Sequence, residues 1–182
     1  LQRYKVGANV LRVPNEEGKK VDHICVTFPW VEMDSKGKEH IYRVKSRSIT
    51  EKGLQRLEPA GGKWSMFGLH LVPSDASSII ITEGEFDAMA VFQATGMPAV
   101  SLPAGANCFP VDLLEKLERF EQIFLWMDDD VVGQEGAKKF ANKLGKERCY
   151  IVQTKQGNKE GPKDANDALR AGMDLKAILN AA

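Results

Sequence analysis

From Ile79 onward the sequence alternates short apolar runs with helical patterns, and a chain of that kind has few ways to bury its apolar residues. Ser78-Ile79-Ile80-Ile81-Thr82 reads as a buried strand, and Phe86 to Thr95 reads as a helix stopped by Gly96 and Pro98. Ala99 to Leu102 gives a second strand, Val111 to Phe120 a helix opened by Pro110, and Gln122 to Met127 a third strand. Ala137, Phe140, Ala141 and Leu144 recur at i, i+3, i+4, i+7 on one helix face, and Cys149 to Val152 supplies a fourth strand. Asp174 caps a last helix running through Ile178. Four strand-helix repeats predict a mostly parallel β-sheet flanked by helices, an α/β fold.

The residues ahead of this pattern read differently. Tyr4 to Val13, His23 to Phe28 and His40 to Ser46 have strand character, with Ser35-Lys36-Gly37-Lys38 as a turn between the last two. They predict a small, mainly antiparallel β subdomain over 1–72, followed by the α/β subdomain over 73–182. The stretch from Leu57 to Lys63, with Pro59, Gly61 and Gly62, reads as a connector.

Composition narrows the function classes. With 182 residues, 43% of them hydrophobic, the chain can fill a real core, and no run approaches the roughly 20 apolar residues a transmembrane helix needs. Its 25 Lys+Arg balance 25 Asp+Glu, but unevenly. Residues 1–78 carry 13 basic against 9 acidic side chains, and 79–182 carry 12 against 16, so a basic β part precedes an acidic α/β part. Cys25, Cys108 and Cys149 are far apart and odd in number, which argues for free thiols rather than a disulfide framework or a zinc site. The chain opens on Leu1, as an excised domain or processed product would.

In a parallel sheet the residues just past the strand C-termini meet at one edge. Three such positions here are acidic: Glu83-Gly84-Glu85-Phe86-Asp87 after the first strand, Asp128-Asp129-Asp130 after the third, and Lys163-Asp164-Ala165-Asn166-Asp167 beyond the fourth. If the chain stays extended past Met127, Asp128 and Asp130 face one way and Asp129 the other. Two carboxylates about 4 Å apart repel by roughly 4 kcal/mol at an effective dielectric near 20, so a cluster of them calls for a cation or protons. Oxygen ligands without His or Cys favour Mg²⁺, which takes one or two carboxylates together with waters and phosphates. The chemistry is then phosphoryl or nucleotidyl transfer, with a free carboxylate such as Glu83 accepting the proton. Any one acid alone also reads as a helix cap or a solvated loop: Asp164 or Asn166 can cap a helix through Arg170, and Glu85 and Asp87 suit a first helical turn.

These motifs together resemble the Toprim signature shared by primases, topoisomerases and some nucleases. Phe67-Gly68-Leu69-His70-Leu71, Ser101 to Ala106, and Lys163 to Gly172 resemble the branch formed by phage primase-helicases and the mitochondrial helicase Twinkle. The resemblance implies a primase-type RNA polymerase, a Mg²⁺-dependent nucleotidyltransferase in which Mn²⁺ can substitute, that makes RNA primers on single-stranded DNA from ribonucleoside triphosphates. It implies Glu83 and Lys163 as catalytic residues, Asp128, Asp130 and Asp164 as metal ligands, Glu85 and Asp87 as supporting acids, and Asn166 beside the substrate. Arg43, Lys45 and Arg47, at i, i+2, i+4 on one strand, are candidate nucleotide or DNA contacts, and Lys63 beside Trp64 is another. For the cation triad a solvated strand face is the competing reading, and for Trp64 simple packing.

No cysteine-rich zinc module and no Gly-Lys-Ser/Thr nucleotide loop occur in the sequence, so the resemblance makes it the middle region of a longer protein. A helicase domain, assembling as a hexamer or heptamer, is the partner implied, and the mitochondrial matrix or nucleoid the location, with phage or bacterial cytoplasm as the alternative. A catalytically idle DNA-binding and assembly module is the competing function. A Toprim nuclease or topoisomerase is a third reading; a topoisomerase would need a nucleophilic Tyr on a separate domain, and Tyr4, Tyr42 and Tyr150 all sit on expected strands.

Overall fold

A computed structural model describes residues 1–155, 157–158 and 160–182. The chain divides into two compact units, Leu1–Gly62 and Lys63–Ala182. The division falls ahead of position 72 because the segment after Lys63 belongs to the second unit, where Phe67 bridges to Ser101.

The first unit is an antiparallel meander of β1 (Gly7–Pro14), β2 (Lys20–Met33), β3 (Glu39–Ser48) and β4 (Gln55–Glu58), in that order. Its hairpins are closed by side chains that mimic a turn. Asn15 accepts from the N–H groups of Glu17 and Lys19, and Asp34 accepts from those of Lys36 and Lys38. β4 ends inside the stretch that the sequence reads as a connector, and its first half carries no strand signal. Its Gln-Arg-Leu-Glu run has no apolar alternation, because an edge strand can gain its pairing from β3 without burying a face.

The second unit stacks helices on both faces of a parallel sheet with strand order β6-β5-β7-β8. The strands are β5 (Ser78–Thr82), β6 (Ala99–Ser101), β7 (Gln122–Trp126) and β8 (Cys149–Ile151). The helices are α1 (Glu85–Thr95), α2 (Asp112–Leu117), α3 (Val131–Leu144), α4 (Ala165–Arg170) and α5 (Leu175–Asn180). The near-continuous apolar runs follow from burial on both faces. Ile79, Ile81, Ile123 and Leu125 point to one core with Leu113 and Leu117 of α2 and Ala137, Phe140, Ala141 and Leu144 of α3. Ile80 and Trp126 point to the other with α1, α4 and α5. Each fully buried Ile or Leu is worth about 1.5–3 kcal/mol relative to exposure, so these two cores hold the sheet in register.

The chain leaves β5 for β6 on one side, then returns across to β7 on the other. Helix α1 packs on one face and α3 on the opposite face. The connections therefore part at the C-terminal ends of β5 and β7, which opens a crevice there, the usual ligand position in such sheets.

Candidate active site

Glu83 and Asp128 follow directly from these two paired strands, whose last matched residues are Thr82 and Trp126. Thr82 fixes the exit of β5: its buried hydroxyl contacts the carbonyls of Gly84 and Val100, 2.9 and 3.2 Å away. Glu83 is half-buried, and its carboxylate accepts from the backbone N–H groups of Ala106 and Asp128. Its Oε2 is buried and has no hydrogen-bond partner among the described residues. Burial raises its pKa, and the charges of Asp128 and Asp130 raise it further, while the two N–H groups act against the rise.

Past β7 the three consecutive aspartates separate by role. Asp128 is half-buried, and Lys163 Nζ donates to its Oδ2 at 2.5 Å. Asp129 turns the other way, accepting from the Lys155 N–H at 2.8 Å, while its own N–H donates to the Lys163 carbonyl at 2.6 Å. It thereby ties the segments around 155 and 163 to the end of β7. Asp130 is the N-cap of α3 and accepts from the Gly133 N–H at 2.9 Å. Gly133 is obligatory for this turn, since a Cβ there would stand 2.2 Å from the Asp128 carbonyl oxygen.

Asp164 caps α4 through the Asp167 N–H at 2.7 Å. It also hydrogen-bonds the carboxyl of Asp87, which in turn accepts from the Asn166 N–H at 2.9 Å. Two carboxyls share a hydrogen bond only when a proton lies between them. Asp87 is buried, and burial chiefly, with the charges of Asp164 and Asp128, pushes its pKa up to about 7. A side chain at position 84 would meet the Asp87 carboxylate at 2.7 Å, so Gly84 leaves room for it. The pKa of Lys163 is raised by its hydrogen bond to Asp128 and by the charges of Asp128, Asp164 and Asp130.

Asp128 thus stands at the centre: its charge acts on Glu83, Asp87 and Lys163 alike. The fold gathers Glu83, Asp87, Asp128, Asp130, Lys163 and Asp164 at one sheet edge and adds the Asn166 N–H. Glu85 is buried in the first turn of α1. Lys63 is exposed, while Trp64 packs against the core and donates its N–H to Asp112. In the first unit Arg43 and Lys45 are buried and Arg47 is exposed. Arg43 lies over the Trp30 ring, 5.2 Å from its centroid, and donates through Nε to the Pro59 carbonyl. Residues 101–106 carry a feature that strand and acid patterns miss. The Ala106 N–H serves Glu83, and the carbonyl of the same residue presses on Gly136 of α3, where a Cβ would stand 2.6 Å away.

Among the described residues no three Asp, Glu, His or Cys side chains converge closely enough to enclose an ion. The donors are all oxygens, the buried Glu83 Oε2 lacks a hydrogen-bond partner, and a lysine and a shared proton offset the carboxylate charge. That arrangement fits a hard cation that keeps waters and takes phosphate oxygens, rather than a closed protein cage.

Residues 80–169 match the family model described as Toprim-like. The chain is 32% identical to a primase homolog protein of Arabidopsis thaliana, over 88% of this chain and 51% of that protein. It is 29% identical to the chloroplastic/mitochondrial Twinkle homolog protein of the same plant, over 88% of this chain and 24% of that protein. The primase fragment of the bacteriophage T7 primase-helicase matches all of this chain and 68% of that fragment, with a TM-score of 0.72 at 23% identity. The chain belongs to the Toprim primase family of phage primase-helicases and Twinkle. It spans about half the length of the primase homolog and about a quarter of the Twinkle homolog.

Proposed function

We propose that this domain is the primase-type RNA polymerase region of a longer primase-helicase, joining ribonucleoside triphosphates into RNA primers on single-stranded DNA. The observation that carries this reading is Glu83, a half-buried carboxylate with an unpartnered buried oxygen and a raised pKa, facing the Asp128–Lys163 pair across adjacent strands. In the reaction the primer 3′-hydroxyl oxygen bonds to the α-phosphorus of the incoming triphosphate, the bond to pyrophosphate breaks, and Glu83 accepts the hydroxyl proton. A raised pKa makes it a better acceptor near neutral pH than an ordinary carboxylate. Asp128, Asp130 and Asp164 would hold Mg²⁺, with Mn²⁺ as a substitute; bound there it polarises the phosphate and makes the attacking hydroxyl more acidic. Lys163 donates to Asp128 and is positioned to meet phosphate charge. The basic first unit, with Arg43, Lys45 and Arg47, supplies contacts to template or nucleotide in this reading, as do Lys63 and the Asn166 side chain, with Glu85 and Asp87 supporting the metal site.

A helicase partner and an organellar location are parts of the same proposal, drawn from the names of the relatives. The test is primer synthesis on single-stranded DNA with Mg²⁺ and labelled ribonucleotides. Glu83→Gln should lower product by about 10²–10⁴-fold, the usual worth of a general base, while DNA binding persists. Undiminished synthesis by this variant would overturn the assignment of Glu83. Absence of product from the wild type as well, with DNA binding intact, would favour an idle assembly module.

A further inference from the structure

Lys139 and Lys143 of α3 stand one helical turn apart, about 6 Å along the axis, on the same flank of the helix. Together with Asn142, Asn107, Phe109 and Ala106 they line a cavity of about 330 Å³. Ala106 is the wall this cavity shares with the site already described, since its N–H donates to Glu83. The floor is aromatic: Phe109 and Phe140 lie 4.7 Å apart between centroids, and Lys143 Nζ reaches over Phe109 at 6.0 Å.

Neither lysine has an ion-pair partner among the described residues. Like charges one turn apart repel, so the pair costs the helix something. The helix dipole accounts for a cation in the last turn, hence for Lys143, but not for Lys139 nearer the middle. General composition does not account for it either, because residues 63–182 hold 13 basic against 17 acidic side chains. Two unneutralised cations and two amides around an aromatic floor match a phosphate with an attached apolar ring.

Building on the primase reading, we propose that this cavity is a subsite for the phosphodiester backbone of the single strand on which Glu83 acts. The strand leaves the sheet edge beside Ala106 and continues along α3, with one phosphate on each lysine.

The experiment is the salt dependence of binding of a fluorescent single-stranded DNA oligonucleotide to this chain, for the wild type and for Lys139→Gln with Lys143→Gln. Each lost phosphate contact should make the slope of log affinity against log salt shallower by about 0.7, hence by about 1.4 for the double variant. The Lys139→Arg, Lys143→Arg pair should keep the wild-type slope, and Lys176→Gln on α5, an exposed lysine facing away from this cavity's core, should leave it unchanged. An unchanged slope in the glutamine variant overturns the subsite, as does an equal loss in the arginine variant, which would mark a structural effect. Weakened ATP binding with unaltered oligonucleotide binding would overturn the assignment to the strand in favour of a triphosphate. If the wild type binds no nucleic acid the primase reading fails too, whereas a failure confined to the lysine variant leaves that reading standing.

Discussion

Asp87 shows how much of this site is held in protons. Its pKa lies near 7 instead of near 3.8, so between roughly pH 4 and pH 7 the folded protein keeps a proton that the unfolded chain has released. The stability this provides is fully present below pH 4 and is lost as pH rises through 7. Denaturant unfolding in EDTA should therefore show the wild type losing stability across that window relative to Asp87→Asn, by an amount on the order of a few kcal/mol. Parallel curves for the two proteins would mean that Asp87 is ionised throughout. The acids themselves were legible in the sequence because strand ends are legible and period-two alternation separates Asp129 from its neighbours. Asp129 indeed binds Lys155 rather than joining Asp128. The Ala106 N–H was not legible, because a backbone donor carries no mark in the sequence. Gly136 was equally silent, since a glycine inside a helical pattern reads as a weak helix former until its neighbour is known.

At the scale of the element, two proposed metal ligands are also helix caps. Asp130 caps α3 and Asp164 caps α4, each with one carboxylate oxygen. Cap and charge can be separated at Asp130, because asparagine caps as well as aspartate whereas alanine does not. Asp130→Ala should lower unfolding stability by about 0.5–2 kcal/mol, and Asp130→Asn by much less. Both should weaken Mn²⁺ binding measured by calorimetry if the carboxylate is a ligand. Equal Mn²⁺ affinity in all three proteins would reduce Asp130 to a cap. The sequence reading captured α1 by its stop at Gly96, α3 by its apolar face and the cap at Asp174, and it offered Asp164 as one of two caps for α4. It missed β4, whose exposed polar residues follow no period and whose pairing with β3 is the whole of its structure.

Across the whole molecule, each unit has its own sheet, and the second has a core on both sheet faces. Glu58 to Lys63 is exposed, with Gly61 and Gly62 at positive φ, a conformation that side chains disfavour. Limited trypsin digestion should accordingly cut at Lys63 before it cuts at Lys138, Lys139 or Lys143 of α3, leaving a stable fragment that begins at Trp64 and retains cooperative unfolding. Early cleavage inside α3 would show that the second unit does not hold together independently. The α/β class was legible because alternating apolar runs and helix patterns admit few other packings. The position of the boundary was not, because the Phe67–Ser101 bridge joins residues far apart in the chain and no local pattern reports it.

The contact between Ala106 and Gly136 reaches beyond packing. One backbone position presents its N–H to the Glu83 carboxylate and its carbonyl to a helix that tolerates no Cβ there. A larger residue at 136 would push the loop and withdraw a donor from Glu83, so a change inside α3 is felt by a carboxylate two contacts away.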